Sequence, residues 1–530
     1  MSDRIGEARL LTHRQIMIVY SGILLGLLLA SLDQTIVATA LPRIVGDLGG
    51  LSQLSWVVTA YLLTSTAAVP LYGKISDIYG RKVVYQFAIV SFVLGSVVAG
   101  VAHSMTILII GRGIQGLGGG GLISMSMIVI GDIIAPRDRG RYQGYMGAVF
   151  ATSSVAGPIL GGFFSDHLTW RWIFFVNLPL GAITLLVVSL VMNIPTTRQH
   201  HRVDYRGAML LVISVTSLLL ITVWGGNDYD WISPQISGML LFGILFAGLF
   251  VRQESRADEP ILPLDLFRDV VFRVASSMSF LLGFSMFGTL VFLPLYFQIV
   301  TGASATKSGL LSLPMVAGLM GASILSGQIT SRTGKYRVFP ILGGFIATCG
   351  ILLLTRLDVH TSRIESSIYI FVFGSGVGLM MQILILATQN AVAPRLMSVA
   401  TSGVTFFRSM GASFGVAAFG TIFANRLDYY VYQNVPTVEL QRLGSPAGSE
   451  LGRNRAVIEA LPAIVRAGVL ESFAEALRVA FFFAVPVATL TFILAWTLKE
   501  LPLRTTTTAT VIESPDLDAV ADRPSARLEL

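Results

Sequence analysis

The sequence predicts an all-α integral membrane protein: two six-helix bundles related by pseudo-twofold symmetry, with two extra helices between them and about fourteen transmembrane helices in total. Composition, recurring apolar segments and an internal repeat predict this fold. Of the 530 residues, 53% are hydrophobic and only 13% are charged, which is typical of a membrane protein. Apolar segments of the roughly 17 to 25 residues that a bilayer-spanning helix needs recur along the whole chain.

The positions of these segments predict the domain organisation. We expect a cytoplasmic N-terminus, a first six-helix bundle, a linker with two transmembrane helices, a second six-helix bundle and a disordered cytoplasmic tail, at residues 1–15, 16–193, 194–273, 274–498 and 499–530. The last two helices are predicted at Val399–Ala424 and Val479–Leu498. Residues 425–477 would then form a long extracytoplasmic loop containing an amphipathic helix at Ala456–Ala476. The sequence does not specify whether a periplasmic partner docks on this loop.

The distribution of basic residues predicts the orientation. Lys and Arg cluster in alternate short loops, for example at 74–82, 137–141 and 332–337. Cytoplasmic loops accumulate basic residues. We therefore expect a multi-pass protein of the cell membrane, plasma or inner, with both termini in the cytoplasm.

An internal repeat relates the two predicted bundles. The loop Gly73–Gly80 returns as Gly327–Gly334, and Ala135-Pro136 returns as Ala393-Pro394. The pair Leu41-Pro42 near the end of the first helix returns in the same way as Leu293-Pro294. Duplicated halves are typical of secondary transporters, in which paired repeats move about a site near the membrane midplane. The repeat therefore favours a transporter over a channel or a receptor.

Several other classes of function are excluded by composition. The formal net charge is +7, but its basic residues are scattered between apolar segments, so we expect no nucleic acid as partner. A single cysteine, Cys349, excludes disulfides and a cysteine-based metal site within one chain. No nucleophile, metal cluster or carboxylate pair is recognisable outside the predicted spans, so an enzyme is not expected.

Three charged residues lie well inside the predicted spans: Asp33, Arg112 and Arg408. Charge at the centre of a membrane helix costs about 2.5 to 3.5 kcal/mol on insertion scales, so each residue is a candidate functional site. A carboxyl group buried away from water is easier to protonate, so Asp33 can exchange protons or attract a cation. The alternative is a structural acid bonded to a neighbouring helix. The corresponding position of the second half is Ser285, which is uncharged.

The two arginines also have two interpretations each. Arg112 precedes the glycine-rich run Gly116–Gly121. No strand comes before this run, so close helix packing explains the glycines better than phosphate binding does. Arg112 is then a candidate partner of Asp33 or of a water in a proton relay. Arg408 either locks the second half structurally or serves the transport site.

Two further motifs and several aromatic residues are candidate functional positions. In the loop after the second helix, two glycines permit a tight turn and the charged residues can form a latch that breaks and reforms as the halves move; these residues are Gly73, Asp77, Gly80 and Arg81. The fifth predicted helix combines a proline kink with closely spaced glycines, suited either to a bendable packing surface or to a purely architectural crossing; these residues are Gly157, Pro158, Gly161 and Gly162. The possible cavity residues are Trp56, Tyr61, Phe292 and Arg408.

At these positions the sequence resembles the major facilitator superfamily, and within it the fourteen-helix drug:proton antiporters. The matching segments are Leu32–Val37 with Ala40–Pro42, the loop Gly73–Lys82, Arg112–Gly120, Gly157–Gly162, Trp170–Pro179 and Phe292–Gln298. The resemblance implies the major facilitator fold around a central cavity. It also implies that Asp33 binds protons or cations, that Arg112 serves the proton relay, and that Asp77 with Arg81 serves the latch.

The function that this resemblance implies is export of hydrophobic, often cationic, drugs or dyes by proton antiport. The expected partners are protons, an amphipathic small molecule and the lipid bilayer, and the energy source is the proton gradient without a cofactor. Some members of this group carry a second membrane carboxylate in the second half, and its absence here makes dicationic substrates doubtful. Two alternatives remain: a dedicated exporter of one metabolite, peptide or lipid-like product, and a sensor or scaffold that has kept the fold without transport.

Overall fold

A computed structural model describes residues 13–49, 53–192, 204–226, 229–436, 439 and 455–504. The described residues are mostly helical. The helices of the first half and the linker are α1 His13–Leu48, α2 Leu54–Tyr79, α3 Arg81–Gly100, α4 Met105–Ile133, α5 Pro136–His167, α6 Trp172–Phe175, α7 Asn177–Val191, α8 Tyr205–Trp224 and α9 Pro234–Glu254. Those of the second half are α10 Val270–Ile299, α11 Ala305–Leu311, α12 Leu313–Thr333, α13 Val338–Leu354, α14 Arg363–Ala391, α15 Met397–Asn434, α16 Arg455–Ala460 and α17 Ala463–Ala495. Two short 3₁₀ helices occupy Leu264–Arg268 and Pro394–Leu396.

These helices supply fourteen candidate membrane crossings. Among the described residues, twelve helical segments are long and apolar enough to cross a membrane, and α13 is a shorter apolar helix. Helix α2, with 26 residues, completes a set of fourteen candidates. Two crossings are interrupted, α6 with α7 and α11 with α12, and in each a proline (Pro179 or Pro314) lies in the first turn of the second helix. Proline has no backbone N–H to continue the helical ladder, which explains both interruptions.

The halves meet along two equivalent pairs of helices. In the first bundle α1 packs on α5, α2 on α4 and α3 on α4, and in the second α10 packs on α15, α12 on α14 and α13 on α14. Between the bundles α5 packs on α12 and α2 packs on α15. The linker helices α8 and α9 pack on each other, and α8 also contacts α2 and α15. The predicted all-α architecture of two six-helix bundles with two extra helices is confirmed.

The prediction for residues 425–477 is wrong at both ends of the stretch. α15 continues to Asn434 and α17 begins at Ala463. The segment from Ala463 to Ala476, predicted to lie on the membrane surface, is therefore the first part of the last spanning helix. In this part of α17 apolar residues recur on one face and are buried: Val465, Val469, Phe473 and, directly after the segment, Leu477. They pack in one core with Leu427 and Val431 of α15, so packing between helices extends both beyond their purely apolar runs.

The first residues of the predicted disordered tail are packed against the second bundle. Leu501 and Leu503 pack against a cluster that includes Tyr336, and the Leu501 N–H donates to the Tyr336 hydroxyl at 2.9 Å. Residues 505–530 and 1–12, which hold the rest of both predicted termini, lie outside the described residues.

Candidate functional site

An ion pair between Asp33 of α1 and Arg112 of α4 lies at the heart of the first bundle. The Arg112 Nη1 is 2.5 Å from the Asp33 Oδ2, and the two residues are 0% and 1% exposed. The Arg112 Nε also donates to the backbone carbonyl of Val57 at 3.0 Å. The two charged residues that sequence placed on different helices are therefore direct partners.

Neutral polar side chains complete the bonding of this ion pair. Gln115 donates from Nε2 to the Asp33 Oδ1 at 2.7 Å, and its Oε1 accepts from Arg112 at 2.7 Å. Asn177, the first residue of α7, donates to the same Asp33 oxygen at 3.1 Å. Ser96 of α3 accepts from both amides. Asp33, Arg112, Gln115, Asn177 and Ser96 are called the buried polar network below.

Close helix packing brings these side chains together. A Cβ atom on Gly95 would lie against the backbone of Gln115, and one on Gly111 would lie against that of Ala99. Only glycine permits α3 and α4 to approach so closely. On the other side, the helical interruption before Asn177 places its amide beside Asp33.

The aromatic candidates occupy three different environments. Tyr61 is buried, and its ring packs on the Arg112 guanidinium with 4.4 Å between the guanidinium carbon and the ring centroid. It therefore covers the buried polar network and is not a lining residue of the cavities described below. Trp56 packs edge-on against Trp224 of the linker helix α8. Phe292 lines an outer cleft of about 330 Å³ between α2, α8, α10 and α15.

A central cavity of about 50 Å³ lies between the halves. Helices α1, α2, α4 and α5 of the first half and α10, α14 and α15 of the second contribute its walls. Arg408 and Ser409 line it on one side, and Gln34, the neighbour of Asp33, lines it on the other. This volume holds little more than one or two waters, so a drug-sized substrate requires the halves to move.

The predicted latch residues meet at the ends of α2 and α3, called the latch end below. Arg81 contacts the carboxylates of Asp77 and Asp132, each at 2.6 Å. Its Nη2 donates to the Ser398 hydroxyl of α15 at 2.6 Å, so it bonds across the two halves. Gly80 has φ +90, a backbone conformation that side-chain-bearing residues rarely adopt. The turn between α2 and α3 therefore requires this glycine.

Further contacts close the molecule at the latch end. Gln143 donates to Gln389 at 3.1 Å, and the Gln389 amide donates to the backbone of Met127 at 3.1 Å. A Cβ atom on Gly327 would meet the backbone of Gly140, and one on Gly73 would meet Ser402. These contacts seal the central cavity from the latch end in this conformation.

The fifth-helix motif packs against α1. A Cβ atom on Gly157 would lie within 2.7 Å of the Thr35 Cβ, and the Thr35 hydroxyl donates to the Ser153 carbonyl at 2.9 Å. Pro158 lies inside α5 beside Gly309 of α11. Gly161 is buried and Gly162 half-buried. The motif thus forms a close helix contact on the first half and faces the second half beside it.

Sequence reasoning missed several polar residues of these sites, among them Ser96, Gln115, Asp132 and Asn177. Gln115 follows Arg112 by one helical turn, and this spacing places both on one helix face. Asp132 lies three residues before the repeated Ala135-Pro136 pair. Asn177 gave no signal beyond its place in the tryptophan-containing segment before Pro179. Among the described residues, no cluster of three or more His, Cys, Asp or Glu side chains is arranged to hold a metal ion.

The fold and the buried site are those of a polytopic membrane transporter built from two similar halves. A family model described as Major Facilitator Superfamily matches residues 23–416. The chain belongs to the major facilitator superfamily.

Individual relatives extend this comparison. An uncharacterised MFS-type transporter of Mycobacterium tuberculosis is 41% identical over 488 residues, covering 92% of this chain and 70% of the relative. The Multidrug transporter protein MdtP of Bacillus subtilis is 39% identical over 406 residues, covering 76% and 75% of the two chains. The crystal structure of the human organic anion transporter MFSD10 aligns with TM-score 0.62 at 15% identity, covering 90% of this chain and 99% of that one. At that identity the structural match shows the fold alone.

Proposed function

We propose that this protein is a secondary transporter of the cell membrane that exports hydrophobic small molecules, such as drugs or dyes, in exchange for protons. The observation that carries the proposal is the fully buried Asp33–Arg112 pair, whose neighbour Gln34 lines the central cavity. A relative of known name, MdtP, is a multidrug transporter, which supports the same class of cargo. The latch end faces the cytoplasm in this proposal, with both termini on that side.

The exchange requires the buried polar network to open in another conformation. In the described state Asp33 accepts three hydrogen bonds and does not contact water. In this proposal, movement of α1 against α4 on the outer side would separate Asp33 from Arg112 and admit a proton from outside, and opening of the latch end would release that proton to the cytoplasm. The described state, which is closed at the latch end, precedes proton uptake from the outer side in this proposal.

The available energy is sufficient for this task. A proton that enters down about 100 mV releases roughly 2.3 kcal/mol. This corresponds to roughly a fiftyfold concentration ratio of an uncharged substrate. One coupled proton per substrate is therefore enough for useful export.

The test uses purified protein in liposomes with a trapped pH indicator. Substrates are added from a panel of lipophilic cations, neutral lipophiles and organic acids, with empty liposomes as the control. Proton movement stimulated by members of the panel is the expected result. Acceptance of several unrelated compounds supports multidrug export, and acceptance of one compound supports the dedicated exporter. No stimulated proton movement with any compound, from protein that retains its fold, would contradict the proposal.

A further inference from the structure

Arg408 differs from the other buried arginines of this protein. It is 6% exposed. Within the described part of the chain, its side chain forms neither a hydrogen bond nor an ion pair. By contrast, Arg112 bonds Asp33, Arg81 bonds two carboxylates, and Arg139 donates to the backbone carbonyls of Ile134 and Gly131. An arginine stays charged in a protein, and burying its guanidinium without a partner is strongly unfavourable. Arg408 is thus a buried cation with vacant donors.

These donors face a cavity that contains no acid. Arg408 lines the central cavity together with the polar residues Gln34, Ser65, Thr66 and Ser409. None of the described lining residues is Asp or Glu. The nearest acid of the transport site, Asp33, is already paired with Arg112. Arg408 therefore determines the charge of the cavity, which is positive.

The remaining walls suit an apolar molecule. They are formed by Leu62, Val69, Ile123, Phe150, Met286, Phe287, Met381 and others. Methionine and phenylalanine side chains adapt to ligands of different shape. Thus the cavity presents one cation at one edge of an otherwise apolar surface.

The outer cleft extends this surface along α15. Arg408, Ser409 and Ala412 line the central cavity, and the next turns, Ser413 to Thr421, line the cleft. Leu62 of α2 borders both. The cleft volume of about 330 Å³ falls in the range of roughly 300 to 1,000 Å³ of small-molecule sites. A molecule with an acidic head at Arg408 and an apolar body in the cleft fits this arrangement.

We propose that Arg408 is the substrate-binding residue for an organic carboxylate, and that this transporter prefers amphipathic acids over the cationic drugs expected from its sequence. The guanidinium donates two parallel hydrogen bonds to the carboxylate, which also supplies the missing counter-charge. A cation at the same place would be repelled. This inference rests on the proposed transport function and assigns its substrate class.

The test compares ligands that differ only in charge. The probes are pyrenebutyrate, its methyl ester and a pyrenylbutyl-trimethylammonium ion, and binding to solubilised protein is read from energy transfer between tryptophan and pyrene, with empty micelles subtracted. We expect the wild type to bind the acid roughly 10- to 100-fold more tightly than the ester, the effect of a charge-assisted bidentate hydrogen bond. Equal affinity for acid and ester, or preference for the cation, would overturn the proposal.

Variants test whether the preference for the acid over the ester depends on Arg408. Arg408→Gln should abolish the preference for the acid, and Arg408→Lys should keep part of it because the charge remains. Arg426→Gln is the matched control, since Arg426 is an exposed arginine on the same helix outside both cavities. An unchanged preference in Arg408→Gln would refute the assignment.

The melting temperature of the Arg408→Gln variant tests whether Arg408 has a partner within the molecule. Without ligand, Arg408→Gln should melt at or above the temperature of the wild type because it removes an unpaired buried charge. A melting temperature several degrees lower would mean that Arg408 has a partner within the molecule, and would also refute the assignment.

Failure of this inference is distinct from failure of the proposed exchange. Binding is measured without a proton gradient. Tight binding of the acid by a protein that moves no protons would preserve the Arg408 site and refute only the exchange. If the wild type transports in exchange for protons and the Arg408→Gln variant still prefers the acid, only the Arg408 site is refuted.

Discussion

The two bundles share one helical frame but differ in their cores. Counted from the Leu-Pro pair of each half, Asp33 corresponds to Ser285, and counted from the Ala-Pro pairs, Arg112 corresponds to Ile370. By the same count Gln115 corresponds to Phe373. Packing supports this correspondence, because a Cβ atom on Gly95 would meet the backbone of Gln115, and one on Gly350 would meet that of Phe373.

The comparison shows that the frame does not need the charges. Ile370 and Phe373 are 0% exposed, so the second bundle fills with hydrocarbon the space that the first fills with the buried polar network. The Ser285 hydroxyl has no hydrogen-bond partner among the described residues. A hydrophobic core of similar volume is usually at least as stable as a buried ion pair. This difference supports the proposed role of the ion pair in proton coupling over a purely architectural role.

The central cavity shows the opposite asymmetry. Counted from the Ala-Pro pairs, Arg408 of α15 corresponds to Phe150 of α5, and both line the cavity. Here the second half carries the charge and the first half the apolar side chain. The two proposals therefore place their tasks in different halves: proton coupling in the first and selection of the substrate charge in the second.

The largest effect on stability is expected when the ion pair of the first bundle loses one partner. Arg112→Gln leaves a buried carboxylate without its cation and should cost about 3 to 5 kcal/mol in unfolding free energy. At the matched apolar position, Ile370→Val should cost about 0.5 to 1.5 kcal/mol. Denaturant unfolding in micelles measures both. The double variant Asp33→Asn, Arg112→Gln should recover most of the loss, and a double variant as unstable as the single one would contradict this account of the pair.

A smaller effect is expected where the halves touch at the latch end. Gly327→Ala introduces a Cβ atom against the Gly140 backbone, and overpacking of this kind costs about 1 to 3 kcal/mol. The closed latch end should therefore open more often. Spin labels at exposed Arg137 and Arg332, with Cys349 replaced by serine, should show a longer distance in pulsed EPR.

The control for this prediction lies on the same helix. Gly321 has no atom near its added Cβ position, so Gly321→Ala should leave the spin-label distance unchanged. Equal distances in Gly327→Ala and the parent protein would show that this glycine contact does not hold the latch end closed.

The smallest effect is expected at Ser285. Because its hydroxyl has no partner in the described structure, Ser285→Ala should change the unfolding free energy by less than about 0.5 kcal/mol. Because the substitution removes no hydrogen bond, the transport rate should stay within about twofold of the wild-type rate. A large loss of transport with normal stability would show that the second half also takes part in coupling.

The sequence predicted the charged residues of the site better than its neutral ones. Asp33 and Arg112 are recognisable because charge is rare in a membrane span. Gln115, Asn177 and Ser96 are neutral, and one sequence does not show whether such side chains face lipid, a cavity or each other. Tyr61 was predicted to line the cavity but covers the buried polar network. The orientation of its side chain depends on how α2 packs on α4, which hydropathy does not determine.

Helix number followed from the sequence, but helix length did not. The apolar runs correctly predicted about fourteen crossings, because each run matches the thickness of the bilayer. Outside the bilayer, helices continue wherever another helix covers one face. This explains why α15 and α17 extend into the predicted loop, where Val431 and Val465 are buried in one core.

Transport by Asp33→Asn tests the central claim most directly, since asparagine keeps the shape of the side chain but cannot exchange a proton. Two rates are measured in the same liposomes: accumulation driven by a pH gradient, and exchange of labelled for unlabelled substrate without a gradient. We predict that gradient-driven accumulation is lost while exchange persists. Accumulation at the rate of the wild type would contradict the role of Asp33 in coupling, and loss of both rates together with the fold would identify the ion pair as structural.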